Sequence, residues 1–430
     1  MGIETVAIYS EADKNSMHVQ LADESYCVGG AFVGDSYLNM AAILTIAIES
    51  GAQAIHPGYG LLSENAKFVS LCEQCNIEFI GPSSEMISLL GDKDMARKTM
   101  REAGVPVTPG CDVVEDIETA KKEAERIGFP LLIKARSGGG GRGIRRVNSI
   151  DEFENAFNSA SSEAQSAFGD GACYLEKFLH PVKHIEMQIL CDKFGRVLCL
   201  GERECSVQRK NQKLIEESPS PAITEEIRQG MMDAAVKAAR AVNYVNAGTI
   251  EFLLDKDNNY YFMEMNTRLQ VEHGVTEMVT GMDIVQWQIR IAAGAELNRT
   301  QDEVFLHGHA IECRINAENP DLDFRPSCGT ITRLHIPGGS FVRFDTALYQ
   351  DYSIPPFYDS MIGKLIVQAR TREHAIRKMK MALSELNIHG VDHNRDLQIE
   401  ILSSPEFVNG TYTTDFMVDF ENRKKNQMES

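Results

Sequence analysis

The sequence has little positive charge for its length. Its 430 residues include 43 lysines and arginines against 62 aspartates and glutamates, which gives a formal net charge of −19 at pH 7. Nonspecific binding to nucleic acid or to an anionic membrane depends on patches of basic residues. We therefore expect no nucleic-acid partner and no membrane partner.

The sequence also lacks a long hydrophobic run. Its longest apolar stretch, around residues 41–48, is much shorter than the roughly 20 residues that span a bilayer. The first residues show no basic region followed by an apolar run, so no signal peptide is expected. The chain is long enough for two or three domains, each with its own core. These features predict a large cytoplasmic enzyme.

The ten cysteines follow no spaced framework of the kind seen in disulfide-rich or zinc-binding proteins. Cys72 and Cys75 form a CxxC match, but they lie in a helical pattern over residues 63–75 and no second pair accompanies them. We interpret them as incidental helix residues. Scattered cysteines of this kind are typical of a reducing cytosol.

Strand and helix patterns alternate along the first hundred residues. Strands are predicted at 5–9, 54–56 and 78–80, and helices at 37–50, 64–75 and 86–103. This βαβ order predicts a parallel sheet with ligand-binding loops at the carboxyl ends of its strands. The glycine- and proline-rich segment 104–110 predicts a hinge into a second unit that ends near Leu179. From about Asn298 the pattern is β-rich, and it closes with a helix at 373–386 and a frayed polar tail at 423–430.

A β-hairpin is predicted over residues 250–265. Two apolar runs flank a turn that is rich in Asp and Asn. If Asp255 pairs with Tyr260, Glu251 lies opposite Glu264. Like charges that face each other across a β-ladder are destabilising, so this pair needs a cation.

Asn266 lies on the same face of the extended chain as Glu264. Two carboxylates and one amide oxygen, with room for water and phosphate oxygens, are typical ligands of Mg²⁺. Glu251, Glu264 and Asn266 are therefore candidate ligands of Mg²⁺ or Mn²⁺. If the chain stays extended, three further polar residues lie on the same face: Arg268, Gln270 and Glu272. The alternative, a solvated hairpin with exposed acids, disagrees with the apolar residues around it.

A glycine-rich segment at residues 137–143 is predicted to be a phosphate-binding flap. It contains a formal GxGxxG pattern, but the residues after it, 144–147, predict a strand and not the helix that a dinucleotide fingerprint requires. The segment has no Gly-Lys-Ser/Thr, so it is not a P-loop. Backbone N–H groups of such a flap can fold over phosphates, and Lys134 can add a point charge. The clustering of Lys134, Arg142 and Arg145 argues against a plain flexible hairpin tip.

Ten short segments, in this order, resemble biotin carboxylases of the ATP-grasp superfamily. They are HPGYGLLSENA (56–66), GDK (91–93), KARSGGGGRGIR (134–145), YLEKFL (174–179), HIEMQ (184–188), GERECSVQRKNQK (201–213), EFLL (251–254), EMNTRLQVEH (264–273), GHAIECRINAE (308–318) and YDSMIGKL (358–365). The resemblance covers nearly the whole chain. It implies an α/β and α+β architecture: a Rossmann-like N-terminal domain (1–85), an ATP-grasp domain (86–297) with a mobile glycine-rich lid (106–179), a β-rich C-terminal domain (298–420) and a polar tail (421–430).

The resemblance also implies roles for individual residues. The implied ATP contacts are Lys93, Lys134, Gly139, Gly140, Glu176, Lys177, Leu179, His184, Gln208, Asn211, Glu251, Leu253 and Glu264. The implied bicarbonate contacts are Lys213, Arg268, Gln270 and Val271. A small planar anion needs paired donors and a point charge, which arginine and lysine supply.

In the implied mechanism, Glu272 is the general base that takes a proton from bicarbonate. Bicarbonate then attacks the γ-phosphoryl group of ATP, which gives ADP and carboxyphosphate. Carboxyphosphate splits into CO₂ and phosphate, the phosphate deprotonates biotin, and the biotin anion captures CO₂. Arg343 matches the arginine that binds and steadies this anion. The implied catalytic set is Lys213, Arg268, Glu272 and Arg343.

Biotin is expected to reach this protein on a separate biotin carboxyl carrier protein. Met379-Lys380-Met381 matches the tripeptide that carries biotin in carrier domains, where the lysine sits at a hairpin tip. Here Ile376, Met379 and Leu383 recur at helical spacing, so Lys380 is predicted to lie on an amphipathic helix. We therefore expect no biotin attached to this chain.

Further expectations concern partners and two departures from the family pattern. Carboxyltransferase subunits are the implied partners, and a homodimer is expected. Gly274 stands where relatives usually have proline. Relatives also carry about one βα unit more before residue 2. Its absence would weaken the N-terminal sheet and the dimer.

Several alternatives stay open at this point. The acceptor of the carboxyl group could belong to acetyl-CoA, propionyl-CoA or pyruvate carboxylase, since the carboxyltransferase makes that choice. Another ATP-grasp ligase would share the flap and the carboxylates but would lack the Arg-Leu-Gln-Val-Glu-His string. A catalytically impaired ATP-binding fragment is the alternative outside enzymes.

Overall fold

A computed structural model of the protein describes residues 1–114, 116–136 and 144–428. Gly139 and Gly140, the two flap glycines with an implied ATP contact, lie outside the described residues. None of the described helices is long and apolar enough to cross a membrane.

The N-terminal unit alternates strands and helices, as the sequence predicts. Its elements are β1 (Val6–Ser10), α1 (Met17–Leu21), β2 (Glu24–Gly29), α2 (Met40–Glu49), β3 (Ala54–Ile55), α3 (Ala66–Gln74) and β4 (Glu78–Phe79). β1 pairs in parallel with β2, and β3 pairs in parallel with β4. Asn39 and Asn65 cap α2 and α3 by accepting hydrogen bonds from backbone N–H groups. The sequence prediction omitted α1 and β2.

The helix predicted at 86–103 is wrong as a single helix. The structure has α4 (Ser84–Gly91) followed by α5 (Lys93–Glu102). Asp92 separates them because its side chain accepts hydrogen bonds at 3.1 Å from the backbone N–H groups of Asp94 and Met95, which is N-terminal capping of α5. Lys93 is consequently the first residue of α5.

The second unit is a small three-stranded sheet with two helices. It contains α6 (Ile117–Ile127), β5 (Leu131–Ala135), β6 (Ile144–Val147), α7 (Ile150–Phe168) and β7 (Cys173–Lys177). The strand order is β6-β5-β7 and both pairings are antiparallel. The strand predicted at 144–147 is confirmed, so two strands flank the glycine-rich segment. Alternate residues of β5, Leu131 and Ile133, are fully buried under the helices.

The remaining described residues build an eight-stranded antiparallel sheet, three two-stranded sheets and their helices. The elements are β8 (Val182–Cys191), β9 (Val197–Arg209), β10 (Gln212–Ser218), α8 (Glu225–Ala241), β11 (Asn246–Asp255), β12 (Tyr260–Asn266), α9 (His273–Thr280), α10 (Ile284–Ala292), β13 (His309–Asn316), β14 (Glu318–Asn319), β15 (Arg325–Pro326), β16 (Gly329–Thr330), β17 (Arg333–His335), β18 (Val342–Thr346), β19 (Ser353–Ile354), β20 (Met361–Ala369), α11 (Arg372–Glu385), β21 (Asn387–His389), α12 (Arg395–Ser403), α13 (Pro405–Asn409) and α14 (Phe416–Met428). The sheet order is β12-β11-β8-β9-β10-β13-β20-β18.

This sheet runs through the boundary that the sequence suggests near residue 298. β10, before the boundary, pairs with β13, after it, from Ile215 opposite Cys313 to Ser218 opposite Ala310. One core also joins both sides, since buried residues of β9 and β10 pack with those of β13, β20 and α11. Side chains from the two predicted domains can therefore meet on one face of the sheet.

The C-terminal region confirms one prediction and corrects another. Lys380 lies on α11, as the helical spacing predicts. The tail predicted to be frayed is instead helical through Met428. Phe416 and Met417 are buried at the start of α14, and Lys424 pairs with Glu400 at 2.7 Å, so packing and charge hold a segment whose composition looks disordered.

The anchoring of α14 generates a stability prediction. Phe416 is 3% exposed, so Phe416→Ala leaves a cavity and should lower the free energy of unfolding by about 3–5 kcal/mol. Val418 on the same helix is 62% exposed, so Val418→Ala should change it by less than about 0.5 kcal/mol. Urea titrations measure both changes. Equal stability of the two variants would contradict the packing of α14.

Candidate active site

The predicted pairing of Glu251 with Glu264 is confirmed, although the register near the turn differs from the prediction. Tyr260 pairs with Leu254 and not with Asp255. An irregularity between Glu251 and Phe252 shifts the register by one residue, because Met263 of β12 has no partner there. The bulge restores the expected alignment of the two carboxylates.

The row of charged residues continues across the sheet beyond this hairpin. Glu251 pairs in register with Glu186 on β8, and Glu186 pairs with Arg203 on β9. Residues opposite each other in an antiparallel ladder point to the same face. Three glutamates and one arginine therefore lie side by side on four adjacent strands.

Lys213 on β10 provides the cation that this row of acids needs. Its ammonium group lies 2.6 Å from Glu186, 3.1 Å from Glu251 and 2.6 Å from Glu272. Burial alone would lower the pKa of Lys213, but these three carboxylates raise it well above its ordinary value. Lys213 is therefore a buried, charged residue at the centre of the site.

Arg203 is a fully buried residue that the sequence did not single out, although it lies in the GERECSVQRKNQK segment. Its guanidinium donates to Glu186 at 2.5 Å and to Gln270 at 3.0 Å. It also donates to Gln188 and to two threonine hydroxyls, Thr249 and Thr276. Gln270 in turn donates to Glu251 at 3.0 Å, so Arg203 orients a predicted bicarbonate residue.

Glu272, the predicted general base, lies between two cations. One carboxylate oxygen accepts from Lys213 at 2.6 Å and the other from Arg314 at 2.9 Å. Burial would raise the pKa of Glu272, but Lys213, Arg314 and Arg203 hold it well below its ordinary range. Glu272 is therefore ionised, as a general base requires. Arg314 was missed as a site residue, and its place in the GHAIECRINAE segment was the available signal.

Arg268 connects this site to the N-terminal unit. Its Nε donates to Glu64 at 2.9 Å, and its Nη2 donates to the amide oxygen of Asn266 at 3.2 Å. Glu64 belongs to the HPGYGLLSENA segment and also accepts from the backbone N–H of Thr267 at 2.9 Å. The conspicuous N-terminal segment thus orients an arginine of the predicted bicarbonate pocket.

The three predicted metal ligands all supply oxygen atoms, but each of them contacts a positively charged side chain in this structure. Glu264 is half-exposed and lies 3.5 Å from Lys93. Glu251 is buried and contacts Lys213. Asn266 has its amide oxygen on Arg268, while its buried amide nitrogen lacks a partner among the described residues. A pocket of about 220 Å³ is lined in part by Lys93, Glu264 and Asn266.

Potential metal-binding groups occur among the described residues in two other combinations. His184, Glu186 and Glu251 bring three ligand atoms within 4.8 Å of one another, and so do Glu186, Cys205 and Glu272. Both combinations contain carboxylates that contact Lys213. The two carboxylates of the hairpin fit a divalent cation chemically, and the role of Asn266 stays a prediction.

The described residues with an implied ATP contact lie in four places: on the eight-stranded sheet, in the turn between β9 and β10, at the start of α5 and on the second unit. His184 is buried, bonded to Gln208 at 3.0 Å and 3.3 Å from Glu251, and it pairs in register with Leu253. Burial would lower the pKa of His184, but Glu251 raises it above its ordinary value. Asn211 is exposed in the turn between β9 and β10, with a positive φ of 64°.

The other residues of this group lie on the second unit. Lys134 forms an ion pair with Glu176, so two implied ATP contacts bind each other. Lys177 donates to the backbone carbonyl of Phe129 at 2.9 Å. Leu179 follows β7 and is half-buried.

Among the described contacts, Arg343 makes none with the charged centre, the cluster of Lys213, Arg203, Arg314, Glu186, Glu251 and Glu272. It donates to Asp345 at 2.7 Å and to Glu277 at 2.6 Å. It is linked to the predicted bicarbonate residue Val271 through Asp345 and Lys364, whose ammonium group donates to the Val271 carbonyl. Arg314, and not Arg343, is the arginine that lies against Glu272.

Comparison with known proteins identifies the family. Three family models match the chain: Biotin carboxylase, N-terminal domain at 1–87; Carbamoyl-phosphate synthase L chain, ATP binding domain at 92–300; and Biotin carboxylase C-terminal domain at 312–419. Biotin carboxylase 1 of Bacillus subtilis is 52% identical over 423 residues, which are 98% of this chain and 94% of the relative.

Solved structures agree with these matches. The biotin carboxylase–β,γ-ATP complex of Campylobacter jejuni has a TM-score of 0.93 and 49% identity, with 97% of this chain and 94% of that chain covered. The biotin carboxylase domain dimer of Hydrogenobacter thermophilus 2-oxoglutarate carboxylase, in complex with MgADP, ADP and bicarbonate, has a TM-score of 0.91 and 49% identity over 97% of this chain and 92% of that one. The charged centre therefore lies in an ATP-grasp fold, and the chain belongs to the biotin carboxylase family of ligases.

Proposed function

We propose that the protein carboxylates biotin in two steps, using ATP and bicarbonate. The observation that carries this proposal is the ionised Glu272 between Lys213 and Arg314, next to the aligned carboxylates Glu251 and Glu264. Activation of bicarbonate by ATP needs a base, cations that hold a small anion and a metal ion at the phosphates. This site has a base beside two cations, and a pair of candidate metal-binding carboxylates lies next to it. The relatives bound to ATP and to bicarbonate support the same reading.

ATP is proposed to bind between the second unit and the eight-stranded sheet. Lys134 and Lys93 supply point charges for its phosphates, and Lys134 would leave Glu176 for them. Glu251 and Glu264 would hold Mg²⁺ or Mn²⁺, with Asn266 as a further candidate ligand. When bound, the cation neutralises charge on the phosphate oxygens.

Bicarbonate is proposed to bind at Lys213, Arg268, Gln270 and the backbone of Val271. Lys213 adds a buried positive charge, and the guanidinium of Arg268 can pair with two oxygens of a planar anion. Arg203 and Glu64 orient this pocket through Gln270 and Arg268. Glu272 would then accept the bicarbonate proton on its carboxylate while the anion attacks the γ-phosphoryl group.

In the second step, CO₂ and phosphate form from carboxyphosphate, and the phosphate takes the ureido proton of biotin. We propose that Arg314 stabilises charge at this point, because it is the arginine in contact with Glu272. The biotin-binding role of Arg343 stays a prediction, and its salt bridges with Asp345 and Glu277 would make it an indirect one.

The assembly is proposed to contain a biotin carboxyl carrier protein and carboxyltransferase subunits, in a cytosolic compartment. The ten free cysteines agree with reducing conditions. A homodimer is supported by the dimer of the Hydrogenobacter relative. The carboxyl acceptor is proposed to be that of acetyl-CoA carboxylase or of a related carboxylase acting on another acyl-CoA or a 2-oxo acid.

The metal pair can be tested with the double variant Glu251→Gln, Glu264→Gln. It should lose Mg²⁺-dependent ADP release but keep its fold, because Lys213 retains the carboxylates of Glu186 and Glu272 when Glu251 is neutralised. Initial rates across a Mg²⁺ titration and circular dichroism measure the two effects. Asp257→Asn, in the exposed turn of the same hairpin, is the matched control. Wild-type turnover by the double variant would remove this pair from the metal site.

The half-reactions separate the roles of Glu272 and Arg343. Glu272→Gln should lower both bicarbonate-dependent ADP release and biotin carboxylation by about 10²–10⁴-fold, because bicarbonate keeps its proton. Arg343→Ala should lower biotin carboxylation more than ADP release. Parallel assays with labelled bicarbonate and free biotin measure both.

Arg314→Ala is the comparison for these variants. It should lower both half-reactions, since Glu272 loses the hydrogen bond that holds its second carboxylate oxygen in place. Equal losses in both assays for Arg343→Ala, or no loss at all, would contradict the role predicted for Arg343.

The helical position of Lys380 can be tested with a biotin protein ligase. Because carrier lysines sit at hairpin tips and Lys380 lies on α11, the purified chain should acquire no biotin during coexpression with the ligase. Streptavidin blotting detects attached biotin, and a carrier domain serves as positive control. A streptavidin signal that disappears in Lys380→Arg would show that this lysine is an acceptor.

A further inference from the structure

Two glutamates behind Glu272 face each other inside the eight-stranded sheet. Glu216 on β10 pairs in register with Glu312 on β13, and both side chains are fully buried. Neither carboxylate oxygen of Glu312 has a hydrogen-bond partner among the described residues, and the same holds for Oε2 of Glu216. Two apposed buried carboxyl groups cannot both ionise without a large desolvation penalty, so such a pair retains a proton.

The cations around this pair are unequally placed. Arg314 lies close to Glu216, with Nε at 2.6 Å and Nη2 at 2.5 Å from Oε1. The nearest ammonium group to Glu312 is that of Lys364, at 4.0 Å and already bonded to the Val271 carbonyl. Helix α9 closes the space above Glu312, since a Cβ on Gly274 would lie 3.2 Å from its Oε2. Among the described residues, Glu312 therefore has no cation within hydrogen-bonding distance.

Other titratable or charged groups act on the pair from the elements around it. Those that act on Glu216 or Glu312 directly are Cys205 on β9, Lys213 on β10, Cys313 and Arg314 on β13, Lys364 on β20 and Glu272 before α9. Asp345 on β18 and His273 on α9 interact in turn with Lys364, Arg203 on β9 interacts with Glu272, and Glu277 on α9 lies 3.9 Å from His273. Burial lowers the pKa of His273 to about 3, so it is neutral. Burial raises the pKa of Glu312 to about 8 and that of Glu216 to about 7, against the opposing effects of Lys364 and Arg314.

Arg314 joins this pair to the proposed base. Its Nη2 is 2.5 Å from Glu216 and 2.9 Å from Glu272, so one nitrogen serves both carboxylates. A fully ionised Glu216 attracts Arg314 and repels Glu272. When the pair of Glu216 and Glu312 retains a proton, Glu216 attracts Arg314 less strongly, and Arg314 therefore binds Glu272 more strongly.

We propose that Glu216 and Glu312 are positioning residues of the carboxylation reaction: they retain one proton between them near neutral pH, and its loss to solvent weakens the hold of Arg314 on Glu272. The inference rests on the proposed function for its effect on catalysis. It assigns a role to two buried acids that touch neither the predicted metal ligands nor the predicted bicarbonate residues in the described contacts.

The pH profile of bicarbonate-dependent ADP release tests the effect on catalysis. In the wild type, kcat/KM for bicarbonate should change slope at a pH between about 7 and about 8, where the pair loses its proton. In Glu312→Gln, Glu216 is a lone ionised acid. The kcat/KM of this variant should therefore follow, at every pH, the alkaline limb of the wild-type profile. Glu216→Gln removes the competing charge, so its profile should follow the acidic limb.

A matched control separates this effect from the loss of any buried acid. Glu202 is equally buried on the same sheet and binds Arg228, away from Arg314. Glu202→Gln should keep the wild-type change of slope. A slope change that persists in both Glu216→Gln and Glu312→Gln, or that disappears in Glu202→Gln as well, would overturn the proposal.

Infrared difference spectra of the free enzyme test the retained proton without any turnover. Ordinary carboxyl groups are ionised above about pH 6, so a protonated-carboxyl band that titrates between about pH 7 and about pH 8 reports the pair. The band should be present in the wild type and in Glu202→Gln, and absent in Glu312→Gln. A wild type without this band overturns the proposal, even if the variants fail to fold.

The two measurements also distinguish the inference from the function on which it rests. A titrating band in a chain without bicarbonate-dependent ADP release would contradict the proposed function and the catalytic effect of the pair. An active enzyme with no such band would contradict the retained proton alone.

Discussion

The buried ammonium group of Lys213 is the interaction on which the rest of the site depends. It contacts Glu186, Glu251 and Glu272 within 3.1 Å, and each of these carboxylates comes from a different segment of the chain. Removing one member of a buried ion pair costs about 3–5 kcal/mol, because a charge is left without compensation. Without Lys213, the acids of β8, β11 and the loop before α9 would repel one another. One cation thus holds the segments of the site in a single arrangement.

The continuous sheet is what allows this arrangement. β10 carries Lys213 and Glu216 and pairs with β13, which carries Glu312 and Arg314. The predicted domain boundary near residue 298 separates these strands in sequence but not in space. A second connection comes from the N-terminal unit, where Glu64 holds Arg268 at 2.9 Å. The site therefore depends on all three sequence regions, and its charges are balanced only when the regions meet.

Local pattern was sufficient to predict some of this site. Side-chain alternation along the 250–265 hairpin aligned Glu251 with Glu264, and the alignment survives because a bulge offsets the one-residue difference at the turn. The strand at Ile144–Val147, where a dinucleotide fingerprint would require a helix, was also predicted from its residues. These features depend on residues close together in sequence, for which turn chemistry and periodicity carry the information.

Arg203 and Arg314 were not predictable in the same way. Their importance comes from the pairing of β8 with β9 and of β10 with β13, and the second pairing joins residues almost one hundred positions apart. No local pattern encodes such an order of strands. For the same reason, the sequence matched Arg343 to a family segment but could not give its distance from Glu272. Its salt bridges with Asp345 and Glu277 are features of the folded chain.

Glu272 must be ionised and also basic enough to take a proton from bicarbonate. Two cations keep its carboxylate ionised, but a carboxylate with a strongly lowered pKa is a weak base. Its basicity rises only when one of those cations is drawn away. In the proposed mechanism, bicarbonate itself does this, because the anion competes with Glu272 for Lys213. Binding of the substrate would therefore increase the proton affinity of the base that activates it, and a base without substrate would stay ionised and unreactive.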